Sequence, residues 1–122
     1  MSDIKKYFCL PCENGSLKVA YDAVAYLAQE ACLGVTGVSS LAYADAEDGA
    51  WVGQKGIVVA AGEAEGSCVL RVYIDVLFGN VISETAKNVQ ENVKASVESG
   101  TGLHAETVDV FVSGITFPKR CV

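Results

Sequence analysis

The clearest chemical signal in the sequence is a pair of cysteines, Cys9 and Cys12, separated by two residues. Two thiols at this spacing suit a redox pair or one half of a zinc site. A thioredoxin-type pair opens a helix after a buried strand, whereas this one precedes Glu13-Asn14-Gly15. A tetrahedral zinc site needs two more ligands, which Cys121, His104 or a second chain would have to supply. We interpret the pair as unspecialised and reduced, and keep a redox or zinc role as the alternative.

A cysteine–histidine catalyst is a second chemical possibility, because His104 is the only histidine and could pair with Cys32 or Cys68. Cys32 falls on the apolar side of a predicted helix and Cys68 at the start of a predicted strand. At such positions cysteine behaves as a small hydrophobic residue. We therefore predict no catalytic residue and place His104 in a surface loop.

Two further segments resemble ligand-binding loops and fail on their spacing. Asp45, Glu47 and Asp48 suggest a calcium loop, but glycines stand at the fifth and twelfth positions, where ligands are required. The segment Gly62-Glu63-Ala64-Glu65-Gly66 lacks the lysine and the serine or threonine of a phosphate loop. We predict a solvated acidic loop and a hairpin turn, and no metal or cofactor.

Composition sets the class of protein that must position these residues. The chain has 122 residues, of which 51% are hydrophobic and 20% charged, which predicts one folded domain. No charge-free stretch is long enough to span a bilayer, and the N-terminal residues lack the apolar core of a signal peptide. A net charge of −6 disfavours binding to nucleic acid and to anionic lipid. Five scattered cysteines favour a reducing cytoplasm over a disulfide framework.

Hydrophobic periodicity predicts the element order β-α-β-β-α-β, with no internal repeat. We expect an α+β fold in two layers, with two helices packed on a four-stranded, mainly antiparallel sheet whose strand order is open. Residues 1–15 are predicted to be an N-terminal arm carrying the Cys-x-x-Cys pair, and residues 16–122 the folded domain. Residues 39–54 are predicted to be a long connection.

The longest predicted strand runs from Cys68 to Phe78, and side chains on a strand alternate between the two faces of its sheet. One face is predicted to be core: Leu70, Val72, Ile74, Val76 and Phe78. The next helix, predicted over residues 83–99, has an apolar stripe that includes Val93 and packs on this face.

The opposite face of the sheet is predicted to expose Tyr73, Leu77 and Phe111 among charged residues. Exposed aromatic side chains ringed by charges suit a protein interface. The alternative is that the long connection, through Tyr43 and Trp51, covers this face within the same chain. Both interpretations stay open at this stage.

Several segments resemble the bacterial alkaline shock protein family, also called the Gls-type general stress family. They are Gly15-Ser16-Leu17-Lys18-Val19-Ala20, Tyr73-Ile74-Asp75-Val76-Leu77-Phe78-Gly79, Gln90-Glu91-Asn92-Val93-Lys94 and Thr101-Gly102-Leu103. The resemblance covers roughly four fifths of the chain, up to Phe117. The sequence departs from the family pattern at Ser83, where the family usually has proline, and in the segment Cys9-Leu10-Pro11-Cys12.

The resemblance implies a small cytoplasmic protein linked to cell-envelope stress, in a family that lacks an established catalytic site and of which some members are held beneath the membrane by a separate anchor protein. We therefore expect a scaffold that self-associates and docks a membrane-anchored partner, with no insertion of its own into the bilayer. The alternative is a thiol-based redox or zinc-binding module that uses Cys9 and Cys12.

Overall fold

The computed structural model describes residues 7–42, 51–52 and 56–117. Two helices lie within them, α1 (Tyr21–Leu33) and α2 (Ile82–Thr101). The strands, in chain order, are β1 (Tyr7–Cys12), β2 (Gly15–Ala20), β3 (Val38–Leu41), β4 (Trp51–Val52), β5 (Ile57–Ala61), β6 (Ser67–Leu77) and β7 (His104–Thr116). The predicted α+β class is confirmed.

The main sheet is organised around β6, which pairs with three other strands. Along one edge β7 runs parallel to it, from the pair Ser67–His104 to the pair Leu77–Thr116. The other edge is shared, since β5 pairs antiparallel with the first half of β6 and β3 with the second half. Strand β4 extends the sheet beyond β5. The sheet therefore has five strands, where the periodicity predicts four.

Both helices cover one face of this sheet, with α1 against β3 and β5 and α2 against β7 and α1. The long apolar residues of α2 recur every four positions, which gives the helix one buried side. The predicted contact of sheet and helix is confirmed, because Ile74 and Val93 are both fully buried in the same core. The fully buried side chains of α1, β6 and α2 include Val24, Ala28, Leu70, Val72, Ile74, Val89, Val93 and Val97.

The Thr101-Gly102-Leu103 segment ends α2 and starts the path to β7. Gly102 has φ of +81°, a left-handed conformation that glycine adopts without steric cost, and its N–H donates to the Glu98 carbonyl at 3.0 Å. The Thr101 hydroxyl donates to the Val97 carbonyl at 2.6 Å and accepts from the Leu103 N–H at 3.1 Å. This segment therefore caps the C-terminus of α2, and Leu103, which follows the cap, is buried.

Residues 7–15 differ from the expected irregular arm, because β1 pairs antiparallel with β2 from Tyr7–Ala20 to Cys12–Gly15. The hairpin is a separate two-stranded sheet, so β2 does not join the main sheet. Its inner face reaches the core, since Phe8 is only 5% exposed and Leu10 packs against the core. The hairpin thus belongs to the packed domain.

Two other local expectations are wrong. β3 overlaps the start of the predicted connection over residues 39–54. Its backbone groups pair with β6 although Ser39 and Ser40 interrupt its apolar pattern. Phe78, predicted to be core, lies one residue beyond the end of β6 and is 58% exposed. Alternation along a strand predicts the face on which a side chain lies. It does not predict whether the helices still cover that face at the end of the strand.

Candidate functional site

The face of the main sheet away from the helices, its outer face, carries a stacked aromatic pair. The parallel register places Tyr73 of β6 directly beside Phe111 of β7. Their ring centroids are 4.7 Å apart and the planes are 11° from parallel. Phe111 is 43% exposed and Leu77, further along β6, is 36% exposed. We call Tyr73, Leu77 and Phe111 the outer-face patch, and its members lie on the side of the sheet away from the helices.

Charged residues flank this patch on the same face. Arg71 is paired with Asp109 across the two strands, one step before the aromatic pair. Asp75 follows one step after it, with its carboxylate 3.4 Å from the Ser40 hydroxyl. A stacked apolar pair between charged neighbours is the composition of a protein-binding surface. Tyr43 and the side chain of Trp51, the alternative cover, lie outside the described residues.

Buried apolar surface also occurs on this outer face nearer to β4. Val58 pairs with the outward-facing Arg71, yet Val58 is only 2% exposed and stands apart from the main core cluster. The outer face is therefore buried at Val58, half-buried along most of β6 and exposed along β7. Phe111 and Leu77 are the exposed apolar members of the outer-face patch.

A second apolar surface lies at the end of the sheet where β6 and β7 finish. The rings of Phe78 and Phe117 stack with centroids 4.8 Å apart, and both are more than half exposed. Beside them a cavity of about 280 Å³ is lined by residues that include Ile82 and Ile115. We call Phe78, Ile82, Ile115 and Phe117 the end cluster. Sequence reasoning missed it, although a run of apolar residues continuing past a strand's last core position is the signal that marks it.

The Cys-x-x-Cys pair lies on the extended strand β1. Residues three apart on a strand point to opposite faces and have Cα atoms about 10 Å apart. A disulfide requires Cα atoms within about 7 Å. Cys9 and Cys12 are both exposed, and the Cys12 thiol lies 3.8 Å from the Leu10 carbonyl oxygen. In this conformation the two thiols do not converge on each other or on a shared metal ion.

The other two described cysteines are buried, whereas His104 is exposed. Burial raises the pKa of Cys32 to about 12 and that of Cys68 to about 11, the latter helped by the carboxylates of Glu98 and Glu106. Both thiols therefore stay protonated near neutral pH. His104 is exposed at the start of β7, with its Nδ1 atom 3.0 Å from a Glu98 oxygen. The arrangement provides no activated thiol–imidazole pair among the described residues.

Glu106 accepts several hydrogen bonds at the turn between β5 and β6. It is the extra residue at a bulge in β7, which aims its carboxylate at the turn. That carboxylate accepts from the Ala64 N–H at 3.0 Å and lies 2.6 Å from the Ser67 hydroxyl. The hydrogen bond from Ser67 and those from the backbone of Ala64 and Glu63 hold the pKa of Glu106 below its usual value. This contact fixes the predicted hairpin turn.

Metal ligands do not cluster in the part of the chain that the structure covers: no group of three histidine, cysteine, aspartate or glutamate side chains is placed to hold an ion. The acidic run of Asp45, Glu47 and Asp48 lies outside the described residues. Among the described helices, none is both long and apolar enough to cross a membrane.

Comparison with known proteins identifies the sequence class. The model of the alkaline shock protein family, described as having a "cell envelope-related function", matches residues 10–117. The match begins at Leu10 and so includes part of the Cys-x-x-Cys segment. The resemblance to alkaline shock proteins is thereby confirmed.

Two curated relatives share shorter stretches with the chain. The uncharacterized protein Spy1614 of Streptococcus pyogenes serotype M6 is 43% identical over 61 residues, which are 50% of this chain and 49% of that protein. The uncharacterized protein YloU of Bacillus subtilis is 43% identical over 44 residues, 36% of this chain and 37% of that protein. The chain thus spans about half the length or less of the curated relatives it matches.

Solved structures show a more distant similarity. The domain titled "MamM-CTD 215-293" aligns with a TM-score of 0.46 and 19% identity, over 76% of this chain and 96% of that chain. A variant titled "MamM CTD C267S" aligns with a TM-score of 0.45 and 18% identity, over 80% of this chain and 96% of that chain.

Proposed function

Because the chain belongs to the alkaline shock protein family, described as having a cell envelope-related function, we propose that it is a non-catalytic, cytoplasmic scaffold of the cell-envelope stress response. It acts through two surfaces. Copies of the chain self-associate through the outer-face patch, and a membrane-anchored protein partner docks on the end cluster. The chain is held at the membrane periphery by that partner and does not insert into the bilayer itself.

One observation carries the proposal: the half-buried Tyr73 ring stacks on Phe111, which is 43% exposed on the outer face of the sheet. Aromatic side chains bury large areas at interfaces and become binding hot spots when they are desolvated by a partner. Neighbouring charges of both signs, Arg71 and Asp109, suit the rim of such a contact. Burying the patch against a second protein surface removes the exposed parts of Phe111 and Leu77 from water.

The end cluster supports a separate partner surface. It lies at the end of the sheet and is formed largely by residues facing the helix layer. It meets the outer-face patch only at Leu77, which also lines the cavity. Ile82 begins α2 and is 42% exposed, so a partner's apolar side chain can enter the cavity beside it without displacing core residues. Its lining residues carry no formal charge, which favours an apolar segment of the partner.

Sedimentation velocity of the wild-type protein and of Phe111→Asp tests the self-association. A charge placed in a desolvated contact should weaken association at least tenfold, about 1.4 kcal/mol. The core should remain formed, because Phe111 faces away from it, and circular dichroism checks this. Thr107→Asp is the matched control, since Thr107 is exposed on the same strand and face outside the patch. A wild-type protein that stays monomeric at high concentration, or a Phe111→Asp variant that unfolds, removes self-association from the proposal.

Fractionation of native cells tests the partner surface. Ile82→Asp should lower the share of the protein that sediments with membranes, since it places a charge at the cavity. The substitution is compatible with folding because an acidic side chain is favourable in the first turn of a helix. Glu84→Gln, also in the first turn of α2, serves as a control for changed charge there. Equal membrane shares for wild type and Ile82→Asp contradict docking at the end cluster.

A further inference from the structure

The outer edge of β7 is open along the segment that carries Phe111. Within the described residues β7 pairs only with β6, so its second row of backbone groups has no strand partner. Such an edge is a template for another strand. In long edge strands, β-bulges often interrupt the regular backbone that another strand could pair with. β7 has two bulges, at Glu106 and Ser113. Between them, residues 107–112 form a regular ladder with β6.

The orientation of the backbone in this segment follows from one side-chain contact. The Gln90 amide of α2 donates to the Val108 carbonyl at 3.0 Å, so this carbonyl points away from β6. In a parallel pair the backbone groups of alternate residues point to the same side. The N–H and C=O groups of Val110 and Val112 therefore also point outward, and no bulge intervenes to change this.

We infer that two copies of the chain join edge to edge through antiparallel pairing of β7 with β7, centred on Phe111, so that one sheet runs through both. This inference rests on the proposed self-association and names its geometry. Val110 of one copy pairs with Val112 of the other, which satisfies the outward backbone groups on both sides of the two-fold axis. Phe111 of one copy then lies beside Phe111 of the other.

The Gln90 contact and the charge pattern select this register over its neighbours. Paired residues in an antiparallel sheet lie on the same face, so the axis passes through a residue. Centring on Val110 would need the Val108 carbonyl, which already accepts from Gln90, and the next outer-face residue on which the axis could lie is Asp109. Centring there places two aspartates directly opposite each other, which is unfavourable. Centring on Phe111 instead continues the aromatic row as Tyr73, Phe111, Phe111 and Tyr73. The observed spacing of 4.7 Å between Tyr73 and Phe111 matches the spacing of adjacent strands, so the rings can stack across the new junction.

The first experiment is cross-linking from single cysteines on β7, in a chain where Cys9, Cys12 and Cys121 are replaced by serine and the buried Cys32 and Cys68 are kept. Phe111→Cys is compared with Asp109→Cys and Thr107→Cys, all on the outer face. A copper–phenanthroline oxidant accepts the two electrons as the two thiols lose their protons and form one S–S bond. At the axis the two Cα atoms are about 4.5 Å apart, within disulfide range, whereas residues 109 of the two copies are more than about 10 Å apart.

A second measurement addresses the backbone directly and remains informative if the cysteine variants associate poorly. Val110→Pro removes an outward N–H that the β6 ladder does not use, and Val110→Ala removes a similar part of the side chain while keeping that N–H. Sedimentation should show at least tenfold weaker association for Val110→Pro than for Val110→Ala, with circular dichroism spectra of folded protein for both.

We expect Phe111→Cys to cross-link at least tenfold faster than the other two single-cysteine variants. If the wild type associates but Asp109→Cys or Thr107→Cys cross-links as fast, or if the two Val110 variants associate equally, the edge pairing is wrong and self-association through the outer-face patch survives. If the wild type is monomeric at all concentrations, the proposed self-association fails together with the inference.

Discussion

The ring of Phe8 stacks on the ring of Tyr21, with centroids 4.1 Å apart and planes 17° from parallel. Through this contact the β1–β2 hairpin is fastened to the first turn of α1. Tyr21 is only 8% exposed, and this burial, helped by the nearby Cys68, raises the pKa of its hydroxyl.

Removing the Phe8 ring should therefore detach the hairpin. We expect Phe8→Ala to cost about 3 kcal/mol of unfolding free energy, because a large, buried aromatic side chain is lost. Tyr7→Ala is the control, since Tyr7 is 49% exposed on the same strand, and should cost less than about 1 kcal/mol. Urea denaturation measures both. Equal losses for the two variants would show that the hairpin is not anchored by its inner face.

The exposed thiols should matter little for stability. Replacing Cys9 and Cys12 with serine removes no buried group, so the melting temperature should move by no more than about 3 °C. Metal content by mass spectrometry is measured on the same samples. A stoichiometric zinc ion that is lost with the double substitution, or a large fall in melting temperature, would instead support the thiol-based alternative.

Neighbouring residues on the two faces of β6 should differ in how much their substitution lowers the free energy of unfolding. Ile74 is fully buried, and Ile74→Ala should lower the unfolding free energy by about 2–5 kcal/mol through lost burial and a cavity. Asp75 faces the outer side, where its carboxylate has a long contact to Ser40 at 3.4 Å, so Asp75→Ala should cost less. Calorimetry that ranks Asp75→Ala as the more destabilising change would reverse the face assignment.

Glu106 should make the turn between β5 and β6 sensitive to acid. Its pKa is held below the ordinary value of 4.5, first by the Ser67 hydrogen bond and then by the backbone N–H groups. A carboxyl group whose pKa is lower in the folded state than in the unfolded state stabilises the fold at pH values above its unfolded-state pKa. This contribution is lost as the pH falls through its folded-state pKa. Wild type should thus lose stability more steeply than Glu106→Gln below about pH 4.5.

The matched control for this acid effect is Glu65→Gln, an exposed glutamate in the same turn. Urea midpoints measured from pH 7 down to pH 3 compare the three proteins. If the Glu106→Gln curve runs parallel to that of the wild type throughout, the hydrogen bonds to Glu106 do not contribute to the acid dependence.

The strands and helices with long, regular patterns could be predicted from the sequence. β6 has four alternating apolar residues that are all buried, and α2 has valines at intervals of four. β3 was missed because it is only four residues long, with Ser39 and Ser40 inside it, and its position is fixed by pairing with β6. β1 was missed because Pro11 suggests a loop, although an edge strand accepts proline.

The site could be predicted less completely than the fold. Alternation along separate strands places Tyr73 and Phe111 on the outer side, but their stacking depends on the parallel register between β6 and β7, which no local pattern encodes. The same limit applies to the end cluster. Phe78 and Phe117 are 39 residues apart in the sequence and are brought together by strand pairing. The periodicity of a single strand cannot predict this contact.

The central place of β6 also has a consequence for the order in which the chain folds during synthesis. β3 and β5 are both made before β6, so neither has its main partner until residues 67–77 have left the ribosome. β7 follows only after α2 has crossed over the sheet. Pairings between such distant segments form slowly, because chain entropy is lost before the contacts compensate for it. We therefore expect the main sheet of a nascent chain to stay unformed until β6 emerges.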